Sequence, residues 1–151
     1  MGVERGKELV IKSVGDMHAF AASVVSVFSG GGVLLLSGDL GTGKTTFVQG
    51  LARALGVKED VSSPTFTIIS EYGCDGRYGI DILVHIDLYR LDGDEVGKEG
   101  AVREALKLAG EEKRLTAIEW AEKLGDLQPV GAENISFAHG SQPGDRVVIL
   151  K

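Results

Sequence analysis

Apolar residues fall into short blocks separated by glycine and acidic punctuation, and the spacing inside each block predicts its element. Leu9 to Lys12 is a short apolar run suited to a strand. Ser13-Val14-Gly15-Asp16 has the form of a capping box, and Phe20, Val24 and Val27 or Phe28 follow at helical spacing. Gly30-Gly31-Gly32 breaks that helix. Val33 to Leu36 is apolar on both faces, as in a central parallel strand, and a loop from Gly38 to Gly43 follows at once. A second helix starts near Lys44, buries Phe47, Val48, Leu51 and Leu55, and stops at Gly56, which takes the left-handed conformation cheaply.

Beyond Ser62, Thr65 to Tyr72 is rich in β-branched and aromatic residues. A glycine and aspartate turn from Gly73 to Gly79 joins it to Ile80 through Ile86, which predicts a hairpin-like pair. Val102, Ala105, Leu106 and Ala109 stripe a helix ending at Gly110, and Leu115 to Ile118 is a further strand closed by Glu119 and Trp120. Ile135 and Phe137, the turn from His139 to Asp145, and Val147 to Leu150 form a terminal antiparallel pair. The alternation of strands and helices predicts an α/β fold with a mixed, mainly parallel sheet. No repeat or compositional break divides residues 1–151, which read as a single domain.

Composition narrows the class. A chain of 151 residues that is 43% hydrophobic and 25% charged can bury a core and is not a disordered segment. Its 22 glycines against 3 prolines call for tight turns or close approach of backbone to a ligand. Cys74 has no second cysteine to pair with, and Glu4 and Glu8 stand where a secretory segment would be apolar, so the expected setting is the reducing cytoplasm. No apolar run approaches the ~20 residues of a membrane span. The net charge of −6 leaves no basic half, which argues against autonomous binding to nucleic-acid phosphates.

The clearest chemistry is Gly38-Asp39-Leu40-Gly41-Thr42-Gly43-Lys44-Thr45, which matches the phosphate loop G-x-x-x-x-G-K-[ST] between an apolar strand and a helix. Triphosphate oxygens must be stripped of water and matched with donors, so such a loop curls to aim backbone amides inward at a helix N-terminus. Gly41 and Gly43 leave room for the curl, Thr42 lies within it, Lys44 adds a compact charge for the β and γ phosphates, and Thr45 is placed to ligate Mg²⁺. Thr46 offers another donor. The fold expectation becomes a P-loop NTPase-like sheet flanked by helices, with ATP and Mg²⁺ as its cofactors.

A P-loop nucleotidase also needs an acid at a strand end facing the metal. Asp87, after Ile82 to Ile86, and Glu119, after Leu115 to Ile118, both qualify. Asp87 can hold a metal-bound water or orient the attacking water, Glu119 can bind the metal directly, and spacing does not divide these roles. Ser63-Pro64-Thr65-Phe66 is placed where nucleotidases often sense the γ phosphate, and it also reads as a plain turn. Arg90 suits a phosphate, a carboxylate or a partner surface; Trp120 suits a cover on the nucleotide or a core position. Seven acids against three bases in residues 92–112 read as a solvated helix face or a docking surface. His18, His85 and His139 are too scattered for a zinc site, and Cys74 reads as a spectator thiol.

Residues 38–46, Ser-Pro-Thr-Phe at 63–66, Asp-Leu-Tyr-Arg-Leu at 87–91 and Glu-Trp at 119–120 together resemble the TsaE family, also called YjeE, over about Val10 to Val148. The resemblance implies a bacterial P-loop ATPase that acts with TsaD and TsaB in making threonylcarbamoyladenosine at position 37 of tRNAs reading codons that begin with A, with tRNA engaged indirectly. It implies that Lys44 and Thr45 bind phosphate and Mg²⁺, that Glu119 is the further metal ligand, and that Asp87 contacts the nucleotide region or its water. It places adenine near Val14 to Met17, which makes Asp16 a candidate contact, and it puts Gly144 near the nucleotide. The stretch between Asp87 and Glu119 is a few residues longer than usual in the family, and Ala121-Glu122 stands where proline is common.

Two other functions are open to a P-loop chain. A small P-loop kinase would need an Arg-rich helical lid to exclude water, and the short stretch after Glu119 lacks one. A nucleotide-binding switch module for guanine would carry Asn-Lys-x-Asp or Thr-Lys-x-Asp, and Glu122-Lys123-Leu124-Gly125-Asp126 has the wrong spacing. ATP is therefore expected over GTP.

Overall fold

The apolar blocks fold, in the computed structural model, as β1 (Glu8–Ile11), α1 (Val14–Val27), β2 (Gly31–Ser37), α2 (Lys44–Ala54), β3 (Ile69–Gly73), β4 (Ile82–Asp87), α3 (Gly93–Val96), α4 (Gly100–Leu108), β5 (Arg114–Glu119), β6 (Glu133–His139) and β7 (Arg146–Leu150). Short 3₁₀ turns occupy Arg77–Gly79 and Ala121–Leu127. The structure describes residues 3–62 and 67–151. The segment Ser63-Pro64-Thr65-Phe66, expected to sense the γ phosphate, lies outside the described residues.

Among the described residues, seven strands form one mixed sheet in the order β1-β7-β6-β2-β5-β4-β3. Its centre is parallel: β6, β2, β5 and β4 run the same way. The rims are antiparallel, with β3 on β4 at one side and β7 on β6 at the other. The expected terminal pair is present and gains a third member, because β1 pairs antiparallel with β7. β2 sits between two parallel neighbours, which is why Val33 to Leu36 is apolar on both faces.

Alternation along β2 divides the core. Leu34 and Leu36 face α1 and α2, where Phe20, Phe47 and Phe137 stack with ring centroids 5.5 and 5.4 Å apart. Val33 and Leu35 face the other side, under Val96 of α3, Val102 of α4 and Leu124. The buried stripe of α1 is Met17, Phe20, Ala21, Val24 and Val25; Val27 is half exposed and Phe28 is the C-cap. The helical spacing is therefore in phase at Phe20 and Val24, and of the two alternatives at its end Phe28 packs against the core while Val27 does not. Of the anticipated hairpin, Thr65 and Phe66 lie outside the described residues, and among the described residues strand pairing begins at Ile69, against β4. In the acidic stretch, Asp92 and Glu95 close a capping box on α3, and Glu104, Glu111 and Glu112 are solvent-exposed. Among the described residues, no helix is long and apolar enough to cross a membrane.

Candidate functional site

The carboxyl ends of β2, β4 and β5 meet at one edge of the sheet, where ligands bind in open α/β folds. β2 ends at Ser37, the glycine loop follows, and α2 starts at Lys44. Two glycines are required here for distinct reasons. Gly38 has φ +146°, and a Cβ there would stand 2.2 Å from the Phe137 carbonyl oxygen. Gly43 has φ +103°, and a Cβ would meet the Met17 methyl at 2.7 Å. The loop therefore lies against β6 on one side and α1 on the other.

The loop's interior is ordered by its own side chains. The Thr42 hydroxyl donates to the Asp39 carbonyl at 2.7 Å. The buried Lys44 ammonium donates to the carbonyls of Gly38 and, at 3.2 Å, of Asp39, and lies 3.9 Å from the centre of the Trp120 ring. Burial pushes Lys44 below its ordinary pKa, and the nearby carboxylates, Glu119 first, oppose that shift. Arg146 of β7 clamps the loop from outside, its Nε donating to the Gly41 carbonyl at 2.9 Å.

Parallel pairing of β4 and β5 sets Asp87 directly opposite Glu119. The Thr45 hydroxyl faces the Glu119 carboxylate, 3.1 and 3.2 Å from its two oxygens. On the far side, His85 Nε2 lies 2.5 Å from Glu119 Oε2. Asp87 accepts the Tyr89 amide at 2.9 Å, which starts the turn after β4. Trp120 follows Glu119 with φ +58°, an uncommon conformation for a bulky residue, and its ring packs on Tyr89 with centroids 5.2 Å apart.

These groups surround a cleft of about 510 Å³. Gly41, Thr42, Gly43, Lys44, Thr45, Thr46, Asp87, Glu119 and Gly144 all line it. Trp120 also lines it and packs against the core on the α3 and α4 side of the sheet. Asp16 is elsewhere: Asp16 accepts the Lys12 amide at 3.0 Å while its own amide donates to Ser13 Oγ, and it borders a separate hollow beside β1. Arg90 is exposed and does not line the cleft. Cys74 is half-buried, its thiol pushed up to about 11 by burial, so it stays protonated.

Sequence reasoning missed Arg146, His85 and Ile11, while Val14 and Met17, at the junction that the resemblance singled out, line the cleft together with Leu40 of the loop. For His85 a signal existed, because it stands two residues before Asp87 and so shares its face of β4. Arg146 carried none, since its approach depends on where β7 lies. A nucleotide-borne Mg²⁺ usually takes only one or two protein oxygens, and the facing hydroxyl and carboxylate of Thr45 and Glu119 are hard donors that fit it.

The chain matches the model of the family described as "Threonylcarbamoyl adenosine biosynthesis protein TsaE" over residues 11–147. It is 48% identical over 99 residues to the tRNA threonylcarbamoyladenosine biosynthesis protein TsaE of Synechocystis, a stretch covering 64% of this chain and 59% of that protein. The protein of the same name from Aquifex aeolicus is 39% identical over 123 residues, 78% of each chain. A crystal structure of YdiB from Bacillus subtilis superposes with a TM-score of 0.74 and 28% identity, covering 95% of this chain and 83% of that one.

Proposed function

Because this chain belongs to the TsaE family, we propose that residues 1–151 act as one Mg²⁺-dependent ATPase domain in the cytoplasm, serving threonylcarbamoyladenosine formation at position 37 of tRNAs that read codons beginning with A. Its partners in this reading are TsaD and TsaB, with tRNA reached through them. One observation carries the ATPase assignment: at the mouth of a phosphate loop, the Thr45 hydroxyl faces a buried carboxylate, Glu119, at 3.1 Å. A turn that merely joined a strand to a helix would give no reason to bury Lys44 and Glu119 together.

In this reading the amides of Gly41 to Thr45, at the positive end of α2, hold the phosphates. Lys44 turns from the Gly38 and Asp39 carbonyls to the β and γ oxygens, where its charge stabilises what builds up in the transition state. Thr45 and Glu119 would hold Mg²⁺, which supplies neutralisation of phosphate charge. Asp87, beside Glu119, orients the attacking water. Thr42 and Thr46 complete the loop's donors, and Gly144, with Val14 and Met17 at the β1–α1 corner, belongs to the nucleotide's base end.

The test is phosphate release from Mg-ATP by the purified protein with TsaB and TsaD. Lys44→Ala is expected to lower it by about 100-fold or more, and a competition titration is expected to favour ATP over GTP. No phosphate release, together with unchanged tRNA modification in Lys44→Ala, would overturn the proposal.

A further inference from the structure

His85 is fully buried, yet its hydrogen bonding is spent on one group. Nε2 lies 2.5 Å from Glu119 Oε2, and Nδ1 has no hydrogen-bond partner among the described residues. A histidine kept only for packing would be expected to satisfy both nitrogens, because a polar atom left unpaired in the interior costs stability. The register explains how the contact arises. Along β4, His85 and Asp87 share one face; along β5, Ala117 and Glu119 share the same face; His85 is paired across to Ala117, one pleat below Glu119. The small Ala117 leaves room for the imidazole to reach diagonally up to the carboxylate.

We propose that His85 is a positioning residue that fixes the Glu119 carboxylate for the metal–nucleotide, an inference that rests on the ATPase reading above. An ionised carboxylate only accepts, so Nε2–H donates to Oε2. That bond anchors the carboxylate from below while the Thr45 hydroxyl approaches from the cleft side. Glu119 would otherwise rotate about its side-chain torsions, and a ligand that must be immobilised binds its metal more weakly.

The test uses the full chain with Mn²⁺ as the probe and a non-hydrolysable ATP analogue. Calorimetry without metal measures the analogue alone, and paramagnetic resonance measures Mn²⁺ binding to the protein–analogue complex. In His85→Ala the metal-free affinity for the analogue stays within about twofold, while Mn²⁺ affinity falls about 10–100-fold. His85→Gln, whose amide nitrogen can take the place of Nε2, recovers most of that loss. In turnover assays the Mg²⁺ concentration required rises, while KM for ATP at saturating Mg²⁺ is unchanged. A purely structural histidine would shift the urea midpoint without this metal-specific effect. If His85→Ala does not fold, His85→Leu keeps more of the volume and is read the same way. A folded variant that binds Mn²⁺ as the wild type does overturns the inference alone; a wild type that binds no metal–nucleotide overturns the ATPase reading with it.

Discussion

Lys44 is held at a cost to the fold. Its ammonium is buried, and burial outweighs the carboxylates around it, so its pKa in the folded chain is lowered. Between that lowered value and the ordinary lysine value the unfolded chain binds more protons, so this site's contribution to stability rises with pH through the window. Lys44→Met is therefore expected to abolish turnover without lowering stability at neutral pH. Its stability advantage over the wild type should shrink in urea melts as pH is raised towards the lysine range. A pH-independent difference would show that burial is not what strains the group. Gly38→Ala tests the opposite kind of constraint. Positive φ combined with a Cβ 2.2 Å from a backbone oxygen predicts a loss of about 2 kcal/mol or more, read as a lower urea midpoint. The ring centre of the protein's single tryptophan, Trp120, lies 3.9 Å from the Lys44 ammonium, so its fluorescence is expected to change on titration with Mg-ATP, which in the proposed reading draws the lysine away. The glycines and Lys44 were legible from their motif. The position of Trp120 was not, because a residue after a strand end can turn either way.

The turn after β4 depends on an element distant in sequence. Lys123, in the 3₁₀ segment Ala121–Leu127, donates to the carbonyls of Leu88, Tyr89 and Leu91 at 3.2, 2.8 and 2.7 Å. All three ammonium hydrogens thereby serve one turn, the one that begins beside Asp87. Lys123→Met is expected to destabilise the protein by about 2–3 kcal/mol. Amide hydrogen exchange at residues 88–91 should accelerate more than exchange in α1; equal acceleration would refute a local role. Nothing in the sequence around Lys123 announces this duty, because its partners lie more than thirty residues earlier. The start of α2 and its stop at Gly56 were legible, since local residues govern them. The end of α1 was less so: Val27 fits the helical spacing but lies off the face that α2 covers.

Across the molecule, the helix pair α1 and α2 covers one face of the sheet, and α3, α4 and the 3₁₀ segment cover the other. Phe47 stands between Phe20 and Phe137, joining α2 to α1 and to β6 beneath the loop. Phe47→Ala is expected to cost about 3–5 kcal/mol, measured by urea unfolding, and to weaken nucleotide binding through the loop it supports. The alternating apolar blocks establish the α/β class, and the run from Gly38 to Thr45 establishes the phosphate loop, because period and local backbone freedom are written in neighbouring residues. Strand order and register are not local: they are settled when distant strands compete for the same hydrogen bonds and the same buried face. Those pairings put Asp87 opposite Glu119, brought His85 beneath it, laid β1 on β7 and carried Arg146 to Gly41.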